Sequence, residues 1–178
     1  MSTEHTEHTE HTEHSEHTVT YLEMTERAQL RPARPAEGVA LEETPAGSET
    51  LVATQAAVGA PHQWSGAWRE RRHDERMRHW LIRVDGEVAG VLSVRGAAGG
   101  EVEIDTFGLL PRYVGRGYGG HALTLAVRQA WDQQPPDAPE VRRVWLHTST
   151  RDHPHALRNY ERRGFQRYAS EREAPRPD

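Results

Sequence analysis

From residue 101 to residue 131 the chain reads EVEIDTFGLLPRYVGRGYGGHALTLAVRQAW, and no other stretch limits the fold as much. Residues 101–109 read as a buried strand, and glycines follow at 115, 117, 119 and 120. Beyond them Leu123, Ala126, Val127, Ala130 and Trp131 fall on one face of a helix that ends near Trp131. Glycines at a helix start leave backbone N–H groups unshielded by side chains, which is how a chain grips phosphate. The fold must therefore feed a strand into a helix through a phosphate-sized turn. What precedes the strand decides which phosphate ligand is meant.

A meander precedes it. Residues 79–84 and 87–94 form a hairpin with Asp85-Gly86 as its two-residue turn. Residues 96–100 make a looser turn into the strand at 101–109. Upstream, 19–24 reads as a first strand, Arg31-Pro32-Ala33-Arg34-Pro35 as a connector, and 39–43 as a short strand. Ser48 is the N-cap of a helix reaching about residue 58, closed by Gly59 and Pro61, and a second helix is expected over 66–77. Downstream, a loop at 133–139 leads to a strand at 141–147. A helix at 153–163, stopped by Gly164, and a strand at 165–170 complete the order. The sum is an α/β (α+β) chain with a mixed, mostly antiparallel sheet.

Residues 3–17 repeat Thr-Glu-His and end in Ser-Glu-His. A period of three with no apolar member suits neither helix nor strand, so a disordered tail is expected over 1–18. His5, His8, His11, His14 and His17 offer adventitious metal chelation, and no metal site is expected in the body. Glu4, Glu7, Glu10, Glu13 and Glu16 account for the formal charge of −5, leaving a balanced body, which argues against nucleic acid as a partner. All 22 basic side chains are arginine. The absence of cysteine excludes disulfides and thiolate chemistry. No apolar run has membrane-spanning length, so a cytoplasmic protein without a membrane partner is expected.

Gly115-Arg116-Gly117-Tyr118-Gly119-Gly120 spells G-x-G-x-x-G. A dinucleotide loop needs a parallel βαβ unit and an acid ending the next strand, whereas here a meander precedes and His147 ends that strand. A kinase loop needs a hairpin where a helix follows. A P-loop needs a lysine.

A different family fits better. The window Val114-Gly115-Arg116-Gly117-Tyr118-Gly119 resembles the acyl-CoA motif Q/R-x-x-G-x-G/A of the Gcn5-related N-acetyltransferases (the GNAT superfamily), with Val114 at the Gln/Arg position. A second segment matches that superfamily's N-x-x-A-x-x-x-Y-x-x-x-G-F through Ala156, Tyr160, Gly164 and Phe165, with His153 at the Asn position. The resemblance spans about residues 19–170. Phe107-Gly108-Leu109, the Gly-Arg-Gly loop, Trp-Leu-His-Thr and Asp-His-Pro together resemble one of its subgroups. It implies an acetyltransferase domain over 19–172, a flexible end at 173–178, and a sheet whose central strands splay apart between flanking helices.

The resemblance further implies transfer of an acetyl group from acetyl-CoA to a primary amine of a small molecule or peptide. With no cysteine to carry an acyl group, transfer would be direct, in a ternary complex. Val114 and the amides of Gly115 through Gly120 would hold the pyrophosphate. Phe107 and Leu109 would line the pantetheine arm, and the Leu109 N–H would polarise the thioester carbonyl. Tyr160 would be the general acid, since a phenol is protonated at neutral pH. Glu103 stands where part of the superfamily has a catalytic glutamate; base, substrate anchor and plain surface acid remain open for it. Asp105, two residues on along the same strand face, His147 and Trp64 are candidate acceptor contacts. Asp152 is expected to hold the turn before Pro154. A non-catalytic CoA-binding sensor on the same fold is the alternative, and a homodimer is left open.

Overall fold

The computed structural model describes residues 17–58, 67–150, 152 and 154–173. The histidine-rich repeat to residue 16, His62, Trp64 and His153 lie outside them.

The hairpin predicted around Asp85-Gly86 is β3 (Met77–Val84) and β4 (Glu87–Ala97). Both turn residues have positive φ, 50° and 82°, the conformation whose twist matches the flanking strands. β2 (Val39–Thr44) pairs with β3, and β5 (Glu101–Leu109) pairs with β4, all antiparallel. β6 (Arg143–Ser149) then lies parallel to β5. The sheet is completed by β1 (His17–Met24) and β7 (Gln166–Glu173), in the order β2-β3-β4-β5-β6-β1-β7. The first strand thus sits between β6 and β7, antiparallel to both.

The parallel pairing sets up everything that follows. It has three rungs, Glu101 with Arg143, Val102 with Val144, and Glu103 with Trp145. β5 continues to Leu109 and β6 to Ser149 without another rung, so the two strands splay apart beyond Glu103.

Alternation along the strands gives each face its own core. Val102, Ile104, Val144 and Leu146 pack on one face with α3 (Gly119–Trp131) and α4 (Ala156–Arg162), through Leu123, Val127 and Tyr160. Leu81 and Val91 pack on the other with α1 (Glu49–Ala57) and α2 (Ala67–Arg71), through Leu51 and Trp68. Ser48 caps α1 as expected, its Oγ accepting from the Leu51 N–H at 3.3 Å, a contact worth about 1 kcal/mol.

Several elements differ from expectation; β6, expected over 141–147, runs from Arg143 to Ser149. The helix predicted over 66–77 ends at Arg71, because Asp74 folds the chain back: its N–H donates to the Arg71 carbonyl and its carboxylate takes the Arg76 N–H. Met77 already belongs to β3. The helix predicted from residue 153 starts at Ala156, after a turn at Pro154 and His155, with residue 153 itself outside the described residues. β1 and β7 also reach past the predicted domain limits, to His17 and Glu173. No helix among the described residues is long and apolar enough to cross a membrane.

Candidate active site

The glycine loop leaves β5 through a tight turn at Pro111–Tyr113. Gly115 and Gly117 have φ of 78° and 85°, left-handed values that cost any other residue about 1–2 kcal/mol. A Cβ on either would meet nothing within 4 Å, so the space above the loop is open and glycine is there for its backbone. In α3 the first intrahelical bond runs from the Ala122 N–H to Tyr118, so the amides of Gly119, Gly120 and His121 have no helical carbonyl to bond. Asn159 of α4 braces the helix start, donating to the Gly119 carbonyl at 3.1 Å. Val114, 37% exposed, stands at the loop's entrance. Arg116 and Tyr118 line a cavity of about 430 Å³ with Arg112, Tyr113, Asp85 and Glu87. Open space, unpaired amides and neighbouring guanidiniums suit a pyrophosphate. A second cavity of about 600 Å³, at the far end of α3 around Trp131 and Arg142, has no part in this site.

The loop opens beside the splay. The Leu110 N–H donates to the Ala89 carbonyl at 2.7 Å, so Leu110 and Ala89 form a hydrogen-bonded pair. Alternation then turns the amides of Leu109 and Phe107, opposite Gly90 and Leu92, away from β4 and toward the gap. Gly108 lies under Val58, whose Cγ1 stands where a Cβ on this residue would go. The helix α1 thus closes down on this strand end.

Glu103 occupies the last rung before the gap and is 7% exposed. Its oxygens lie 3.5 Å from Arg95 and 3.8 Å from the His147 Nε2. Burial pushes its carboxyl up to about 7, and the charge of Asp105 adds to the rise, while Arg95 and Arg71 oppose it. Asp105 is the extra residue of a β-bulge, since Ser93 pairs with Thr106 and Val94 with Ile104. The bulge keeps Asp105 on the Glu103 face. There Arg71 grips it through two bonds, Nε at 3.1 Å and Nη2 at 2.8 Å, and Thr106 adds a third. Asp105 is therefore an anchored neighbour of Glu103. Neither Arg71 nor Arg95 was singled out by the sequence, where both are ordinary arginines of a charged stretch.

Tyr160 lies on the other face, packed edge-on to Phe165 at 6.2 Å within the α3 core. Burial raises its phenol above the ordinary value, with the charge of Asp152 second. Asp152 closes the end of β6, accepting from the Thr148 hydroxyl at 2.7 Å and the Ser149 N–H at 2.8 Å, whereas the turn it was expected to hold passes through His153, outside the described residues. Of the sequence candidates, Glu103, Asp105 and His147 are brought together on one face, Phe107 and Leu109 border the gap, and Tyr160 sits on the opposite face. Among the described residues no cluster of His, Asp and Glu is arranged to hold a metal.

Residues 42–165 match the model of the acetyltransferase (GNAT) family. The fold is similar to a GCN5-related N-acetyltransferase from Kribbella flavida (21% identity, TM-score 0.59, covering 88% of this chain and 56% of that one). It is similar as well to a GCN5-related N-acetyltransferase from Sphaerobacter thermophilus (19%, 0.60, covering 91% and 53%) and to a functionally unknown conserved protein from Staphylococcus epidermidis (16%, 0.61, covering 88% and 60%). At these identities the likeness is one of fold. The chain spans little more than half the length of these solved structures. No curated protein matches it.

Proposed function

This chain belongs to the acetyltransferase (GNAT) family, and we propose that it moves an acetyl group from acetyl-CoA to a primary amine by direct transfer in a ternary complex. The observation that carries the reading is the splay beyond Glu103, with unpaired glycine-loop amides at its mouth and a buried acid at its root.

Acetyl-CoA would supply an activated thioester. The amides of Gly115 through Gly120 would hold its pyrophosphate, with Val114 flanking them, and the gap beside Phe107 and Leu109 would take the pantetheine arm. The Leu109 N–H, turned into that gap, would polarise the carbonyl. Glu103, poised near neutrality, would accept the proton that the attacking amine loses. Tyr160 would return a proton to the sulfur as the carbon–sulfur bond breaks. His147, 40% exposed and beside Glu103, offers that proton a way to solvent. Asp105 would set the charge around Glu103 from its clamp on Arg71.

Initial rates over a matrix of acetyl-CoA and amine concentrations test the scheme, read as thiol release. Double-reciprocal lines that intersect support a ternary complex. Parallel lines would mean a covalent acyl-enzyme and overturn it. Tight CoA binding without release from any amine would leave the sensor module as the better account.

A further inference from the structure

The face of the sheet that carries Glu103 is covered by α1 and α2 over β3 and β4. Over β6, β1 and β7 the same face is half-exposed at Tyr21, Arg143 and Trp145 and exposed at His147 and Tyr168. Polar side chains normally tile an open sheet face. Here aromatic rings share it with Arg143, Glu23, Glu101 and Glu171. Trp145 and His147 lie with ring centroids 6.5 Å apart, His147 and Tyr21 5.7 Å, and Tyr21 and Tyr168 6.0 Å. The Arg143 guanidinium closes the circuit, 4.9 Å from the Tyr168 ring and 5.7 Å from the Trp145 ring. Glu23 at 2.6 Å and Glu101 at 3.5 Å engage that arginine, so it works as a flat plate between two rings more than as a free charge. Tyr168 is one of two large apolar side chains among the described residues that stay exposed, at 44%.

The plate begins at the reacting end. Trp145 is the rung partner of Glu103, and His147 stands 3.8 Å from the same carboxylate. From β5 across β6 and β1 to β7 the strip crosses three strand spacings, roughly 15 Å. That is more than a compact amine covers from Glu103. It matches an extended chain of about four or five residues, at roughly 3.3 Å each. Neighbouring rings tilted 35° to 53° to one another offer both edges and faces to apolar and aromatic side chains.

Resting on the acetyl-transfer reading above, we propose that the acceptor is a peptide: its amine reaches Glu103, and the residues that follow, rich in aromatic or apolar side chains, lie across Trp145, His147, Tyr21 and Tyr168. The strip then selects the acceptor, and Tyr168, at its far end, reads only acceptors long enough to arrive there.

The test uses the full chain, acetyl-CoA and a ladder of free-amine peptides, from a single amino-acid amide to about six residues, in a Phe-containing and a matched Ser/Gly series. The expected result is a kcat/KM that climbs at least about tenfold to four or five residues in the Phe series only. Tyr168→Ala should flatten that climb and leave the amino-acid amide unchanged. A rate independent of length, or highest on the single amide, would overturn the proposal, as would a climb that Tyr168→Ala leaves intact. Binding of an N-terminally acetylated Phe-series peptide, measured by calorimetry, separates this inference from the chemistry. Binding that weakens about tenfold in Tyr168→Ala supports it even if no amine is turned over. Absence of binding overturns it even if small amines are acetylated.

Discussion

Glu103→Gln isolates the electrostatic cost of the buried acid from any catalytic role. A carboxyl raised from 4.5 to about 7 is protonated in the native state where the unfolded chain has already released its proton. Stability therefore falls as pH rises through that window, and the deficit persists above it. At ~1.4 kcal/mol per pH unit the deficit is about 3 kcal/mol. Glutamine keeps the shape and removes the charge. Denaturant unfolding of both proteins from pH 4 to pH 9 should show no difference at the acid end, a gap opening between about pH 4.5 and pH 7, and a plateau with the variant about 3 kcal/mol more stable. For a domain of this size that is roughly 6–12 °C in Tm. The same variant should lose the acidic limb of its kcat/KM profile. A stability difference that stays flat across the range would refute the argument that burial holds Glu103 near neutrality, and an unchanged acidic limb would remove it as the base.

Tyr160→Phe should cut turnover by about two orders of magnitude with acetyl-CoA affinity unchanged, checked by calorimetry beside the thiol assay. Unaltered turnover would make Tyr160 a packing residue only. Gly117→Ala places a side chain at φ 85° in open space, so it should lower stability by only about 1–2 kcal/mol while weakening acetyl-CoA binding at least about tenfold. Arg71→Ala leaves the Asp105 carboxylate, 4% exposed, without its guanidinium and should cost about 3–5 kcal/mol at pH 7. Adding Asp105→Asn should recover much of that loss in urea unfolding.

The backbone plan was legible where local chemistry decides it. Asp85-Gly86 specified its turn, Ser48 its cap, Gly164 its helix stop, and the apolar spacing from Leu123 to Trp131 the face of α3. The glycine loop announced itself because φ near +80° at two positions leaves few alternatives. Other features depend on partners distant in the chain. Nothing in HTVTYLEM says that β1 inserts between β6 and β7, since both neighbours lie more than a hundred residues away. The bulge at Asp105 arises from a register mismatch with β4, invisible along one strand. Arg71 was read inside a longer helix, and only the Asp74 turn that ends α2 leaves it where it can clamp Asp105. The aromatic plate likewise combines residues from three strands, each with unremarkable spacing alone.

The central claim is that the gap between β5 and β6 is a place where an amine takes an acetyl group. Mass spectrometry of the acceptor, run beside thiol release in the same reaction, tests it most directly. The account predicts one N-acetylated product for each thiol freed, no acetylated protein, and no thiol released when the amine is left out. Acetyl-CoA that binds with its thioester intact in the presence of every peptide and amine offered, or an acetyl group lodged on the protein itself, would contradict it.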